Sequence, residues 1–177
     1  MSSSTRRHKL LTVRELVIFA MLGTMMFLSD LIMEGLPNIH LLGMFIATFT
    51  IVFRAKALFP IYVYVFLLGL SAGFNAWWAP YLYLWPILWG LIMLIPRKLP
   101  RPVFFVLVHA VTVLLGLAFG ALYAPAQALM YGLDFKNMLR WIAAGISFDI
   151  LHAVGNFVFG FFIYPLTKLL TRLNYGK

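Results

Sequence analysis

The chain has 177 residues, of which 63% are hydrophobic and only 11% charged, and its mean hydropathy is +0.95. Soluble domains carry about 25% charged residues, so a soluble enzyme, a nucleic-acid binder and a disordered tail are poor fits. The formal charge of +9 is best explained by basic loops on one side of a membrane, and the absence of cysteine excludes disulfides, zinc-thiolate sites and thiol nucleophiles.

Residues 1–12 form a basic arm with Arg6, Arg7 and Lys9. A first span is expected from Val13 to Met33, started by a capping box of Thr12 and Glu15. The arm and the apolar run together resemble a signal peptide. No small-residue cleavage site follows, so a retained helix is expected. A polar connection with Gly35 and Pro37, Glu34 to His40, interrupts the pattern. Shorter spans are expected over Leu41–Phe53, Ala57–Phe74 and Tyr81–Ile95, with a turn at Asn75–Pro80 and a stop at Pro96–Arg101. A fifth span runs from Pro102 to Ala124, followed by a loop or short interfacial helix over Pro125–Asn137. The last apolar stretch, Met138–Leu170, has 33 residues. At about 1.5 Å per residue it exceeds a ~30 Å hydrocarbon core, so it must tilt, bend or project.

The fold expected is therefore an all-α integral membrane protein, one bundle of six transmembrane helices over 13–171 with a tail at 172–177. Arg6, Arg7, Lys9, Arg14, Arg54, Lys56, Arg97, Lys98, Arg101, Lys168, Arg172 and Lys177 then share one face, with only Lys136 and Arg140 on the other. The positive-inside rule makes both termini cytoplasmic. The charge is thus a topology signal toward the lipid bilayer, not a nucleic-acid footprint.

Ionisable groups inside a membrane are functional candidates. Gly145, Asp149, His152, Asn156 and Gly160 follow helical spacing and form one stripe. Asp149 and His152 either pair with each other at i,i+3, or Asp149 and Asn156 face a polar cavity. Asp30 near the outer end of the first helix, and His40 beside Asn38, are further candidates; Glu34 is explained by solvation, and His109 by packing. Trp77, Trp78, Trp85 and Trp89 fall within thirteen residues, and Trp141 joins them toward the outer side. An interfacial belt would mark both sides, so this asymmetry favours an aromatic pocket wall at the outer face.

No phosphate loop, metal cluster or nucleophile elbow is present. Ser147 and His152 lie about 140° apart round the helix, against a serine hydrolase. No catalytic residue, cofactor or metal is expected, and any energising chemistry must come from another protein. A small intramembrane enzyme using Asp149 and His152, or a structural membrane protein, is the alternative.

Six helices in about 20 kDa, a basic inner arm, a proline-containing outer connection and an aromatic outer face resemble the substrate-binding S component of energy-coupling factor (ECF) vitamin transporters, over Leu10 to Lys177. The family's docking motif, two alanines four apart, is matched by Ala20-Met-Leu-Gly23-Thr24, with Thr24 in place of the second alanine. The resemblance implies a multi-pass protein of the prokaryotic cytoplasmic membrane. Its partners would be a transmembrane coupling subunit and two cytosolic ATPases, docked through Ala20, Gly23 and Thr24. It further implies a vitamin-type ligand held near the outer face by Asn38, His40, Asn75, Trp77, Trp78, Tyr81, Trp85, Tyr131, Asp149 and Asn156, and released inward as the subunit tips over. Acidic groups and rings favour a neutral or cationic, planar or macrocyclic ligand, with cobalamin first and a queuosine-type base or thiamin next.

Overall fold

The computed structural model describes residues 11–175; Arg6, Arg7, Lys9 and Lys177 lie outside them. Among the described residues every element is helical: α1 (Val13–Ile32), α2 (Leu42–Phe53), a 3-10 turn (Arg54–Ala57), α3 (Leu58–Ala72), α4 (Tyr81–Leu94), α5 (Arg101–Leu117), α6 (Phe119–Tyr131), α7 (Phe135–Gly160) and α8 (Ile163–Tyr175). The start of α1 is the expected capping box. The Thr12 hydroxyl accepts the Glu15 N–H at 3.2 Å, and the Glu15 carboxylate accepts the Thr12 N–H at 2.9 Å. The same carboxylate pairs with Lys56 at 2.5 Å, tying α1 to the 3-10 turn.

Three helical stretches are long and apolar enough to cross a membrane, Val13–Ile32, Leu42–Ala72 and Phe135–Gly160; α5 and α6, bent by 43°, make a fourth. The second stretch is not one rod. A straight helix at about 1.5 Å per residue would hold Leu42 and Leu68 about 39 Å apart, yet both line one cavity. The chain turns back at Arg54, whose φ of +58° lies in the left-handed region. Phe53 before the turn and Phe59 after it both pack on Phe19 of α1, so α2 runs antiparallel to α1 and α3.

Ten of the twelve residues of α2 are buried. A helix apolar on every face belongs in a core, and α2 packs against α4, α7 and α8. Around it, α1 buries only Phe19, Gly23 and Met26, and it leaves Met21 66% and Ile32 83% exposed. A mainly apolar outer surface of this kind, broken at Arg14 and Thr24, suits lipid or a membrane partner.

Three boundaries differ from the sequence expectation. Of the loop or short helix expected over 125–137, the helical alternative holds as far as Tyr131, but as a continuation of α6 through Pro125, carried by Ala124, Ala126 and Ala128. It stops at Gly132, whose φ of +66° forms a left-handed cap. Asp134 then caps α7, accepting the Asn137 N–H at 2.7 Å, so that helix starts before Met138. The single last helix expected to reach Leu170 is two, α7 and α8. Pro165 has no N–H for the Phe161 carbonyl and its ring crowds that oxygen, so the chain breaks between Gly160 and Ile163.

Candidate functional site

The connection after α1 forms where Gly35 and Pro37 end the helical pattern. Asn38 turns it at φ +56°, a conformation asparagine tolerates better than most residues. This turn carries His40 over the bundle. Opposite it, Asn75 builds the turn before α4, its Oδ1 accepting the Trp77 and Trp78 N–H groups at 3.1 and 3.4 Å. Between the two connections lies a cavity of about 450 Å³, bounded by the ends of α1 and α3 and the start of α4, with Phe119 and His152 in its wall.

Rings dominate this wall. Tyr81 stacks on Trp85 at 5.9 Å and 14°. The His40 ring meets Trp85 edge-on at 5.8 Å and His152 at 4.4 Å, and Phe119 lies 4.6 Å from His152. Three buried ring nitrogens here, His40 Nδ1, Trp85 Nε1 and His152 Nε2, have no hydrogen-bond partner among the described residues. Buried polar atoms are paired in the great majority of cases, so these three orphans make the wall formed by His40, Trp85 and His152 a candidate ligand contact. The acidic side of the cavity is Asp30, whose Oδ2 accepts the Tyr64 hydroxyl at 2.9 Å, with Glu34 beside it. No Lys or Arg is among the lining residues.

Of the residues expected to bind ligand, Asn38, His40, Trp77, Tyr81 and Trp85 line this cavity. The others do not. Asn75 shapes the turn. Trp78 donates its indole N–H to the Val65 carbonyl at 2.8 Å and packs on Phe74. Tyr131 is 61% exposed at the end of α6. Asn156 donates to the Thr112 carbonyl at 2.8 Å and fills the junction of α5 and α7, where Gly43 and Gly116 leave it room. Sequence reasoning left out Tyr64, Phe119 and His152. The stripe on α7 pointed to His152, but Tyr64 and Phe119 sit in apolar runs that carry no distinguishing signal.

Asp149 and His152 do not pair. Asp149 Oδ1 accepts the Gly120 N–H at 2.9 Å. It borders a second, smaller chamber of about 320 Å³ that shares Asn38 and Phe119 with the first. His152 faces the larger chamber, so the two side chains serve different spaces. Gly23, expected to dock a partner, turns inward instead: a Cβ there would meet Val63 and the Pro60 carbonyl. It thus admits α3, whereas Ala20 and Thr24 stay on the outer surface of α1. Trp89, expected at the outer side, donates to the Arg54 carbonyl at 3.0 Å. It lies about 12 Å along α4 from Tyr81, far enough to reach the turn at Arg54, away from the cavity.

Burial pushes the His40 imidazole down to about 4, so it is neutral at pH 7. The unfolded chain, with an ordinary histidine pKa of about 6.5, binds the proton that the folded protein refuses. Stability from this group is complete above about pH 6.5 and declines as pH falls toward about 4. Melting temperatures across that window are expected to fall less steeply for His40→Gln than for the wild type; equal slopes would show that His40 is not held neutral. No protein-family model, curated protein or solved structure matches the chain.

Proposed function

We propose that this chain is the membrane-embedded substrate-binding subunit of an ECF-type importer, which captures a ring-bearing, vitamin-type nutrient at one face of the prokaryotic cytoplasmic membrane. The cavity between the two outer connections carries this reading, because its aromatic wall and three unpartnered nitrogens suit a planar polar ligand. Six passes with both termini cytoplasmic are part of the proposal. The reversal at Arg54, the antiparallel course of α2 and the short α4 support them, with α5–α6 as one bent pass. Arg54, Lys56, Arg97, Lys98 and Arg101 gather at the connections opposite the cavity, which supports a cytoplasmic assignment for that end.

Without a phosphate loop in the sequence, the energy must come from a transmembrane coupling subunit and two cytosolic ATPases. Ala20 and Thr24, on the exposed and mainly apolar flank of α1, are the proposed docking positions. The volume of about 450 Å³ is near the lower end of the ~300–1,000 Å³ of small-molecule sites. It favours a compact ligand such as thiamin or a queuosine-type base over the corrin of cobalamin.

Purification from the source cell in mild detergent tests the reading. The chain should recover a coupling subunit and ATPases, and a small molecule should leave with it on denaturation. Recovery of the pure chain alone, with tryptophan fluorescence indifferent to every ring-bearing vitamin, would sink the importer assignment.

A further inference from the structure

Building on the proposed binding subunit, we infer that the cavity takes a compact nitrogen heterocycle of one or two rings bearing an amine or a fixed positive charge. Its ring edge is bonded by His40, Trp85 and His152, and its cationic end sits at Asp30. Three separate features lead to this class.

The first is the sign of the charge. Among the described residues Asp30 and Glu34 are the only charged side chains lining the cavity, and no Lys or Arg lines it with them. A carboxylate ligand would enter beside two like charges and find no cationic partner. The Tyr64 hydroxyl holds Asp30 Oδ2 at 2.9 Å, which fixes the carboxylate and leaves Oδ1 for the ligand.

The second is the edge. Indole Nε1 is a donor only, so the ligand must present at least one acceptor to Trp85. Trp85 and His152 are 1% and 2% exposed, and water does not reach their orphan atoms from outside. A neutral imidazole offers a donor or an acceptor according to its tautomer, so His40 Nδ1 and His152 Nε2 can complement a mixed edge, as aminated nitrogen heterocycles carry. The two imidazoles are not half of a metal site: among the described residues no three His, Cys, Asp or Glu side chains converge. The third is shape. Tyr81 and Trp85 stack with nearly parallel rings, and the volume of about 450 Å³ admits a flat ligand of limited size.

The test uses the purified full-length chain in detergent. Thiamin and pyridoxamine represent the proposed class, nicotinate and biotin the carboxylates, and cyanocobalamin the macrocycles; binding is read from tryptophan fluorescence and native mass spectrometry. At least one amine or cationic heterocycle should bind 100-fold tighter than either carboxylate. Asp30→Asn should weaken it tenfold or more without weakening the carboxylates. Should Asp30→Asn not fold, Tyr64→Phe, which frees the carboxylate from its hydroxyl, is expected to weaken the same ligands and no others. Tightest binding by a carboxylate or by cyanocobalamin overturns this ligand class while leaving the importer reading intact. Indifference of the cationic ligand to both variants overturns the Asp30 contact, and no binding by any probe overturns the cavity assignment itself.

Discussion

Trp85→Ala is expected to lower stability by about 3–5 kcal/mol, whereas Trp85→Phe should leave the ligand-free protein close to wild type and still lose most of its ligand affinity. The indole is 1% exposed and packs against His40, Tyr64, Tyr81 and Phe119. Truncation to alanine removes those contacts and opens a void beside a cavity that already exists. Phenylalanine keeps a six-membered ring against these neighbours and loses the remainder of the indole, including the Nε1–H, which has no hydrogen-bond partner among the described residues. An unsatisfied buried donor costs about 1–3 kcal/mol, so its removal offsets the slightly poorer fit. In the bound state the same N–H meets the ligand, and its loss should weaken binding about tenfold or more, equivalent to at least ~1.4 kcal/mol. Paired melting curves with and without ligand check both halves. If phenylalanine destabilised the ligand-free protein as severely as alanine, the indole N–H would have a structural partner and the cavity would lose its clearest signature.

Asp149 should behave as a structural cap, with Asp149→Ala costing about 1–3 kcal/mol and Asp149→Asn costing little. The 43° bend between α5 and α6 frees the first N–H groups of α6 from the preceding turn. Asp149, 5% exposed, supplies an acceptor to Gly120 from the neighbouring helix, where a carboxylate also complements the positive end of the helix dipole. Asparagine retains an oxygen that can accept the same bond, and alanine does not. Gly120 is part of the device, since a Cβ there would lie 2.6 Å from Asp149 Oδ2. Thermal unfolding of the two variants separates this role from acid–base chemistry. A well-folded Asp149→Asn that lost an enzymatic turnover would point to the enzyme alternative, and full function in that variant would remove it.

Local chemistry was legible wherever a short pattern determines the outcome. The Thr12–Glu15 box starts α1 because both partners lie within one turn. Of the expected stripe, Asp149, His152, Asn156 and Gly160 lie on one buried face of α7, whereas Gly145 is half-buried with open space beside it. Its members nonetheless do different things: Asp149 caps α6, His152 lines the cavity, Asn156 bonds Thr112 on α5, and Gly160 makes room for His109. Helical periodicity identifies a face and says nothing of what lies across it. The same limit explains why Asn75 and Trp78 seemed equal to Trp77 and Trp85 as ligand contacts. All four share one aromatic segment, and only the backbone turn at Asn75 decides which of them point inward.

Composition and hydropathy were sufficient for a chain that is helical over its described residues, with stretches long and apolar enough to cross a membrane, because apolar length and the scarcity of charge are sums over residues and need no partner. The arrangement of basic residues likewise marked one end of the bundle. The cavity itself depends on packing between distant segments. The left-handed turn at Arg54 folds α3 back beside α1, the break at Ala118 swings Phe119 into the wall, and His40 meets His152 from 112 positions away. Each of these is settled by which surfaces bury one another, so the composition that opened as 63% hydrophobic indicated helices suited to a membrane, and the meeting of its few polar atoms marked the candidate ligand cavity.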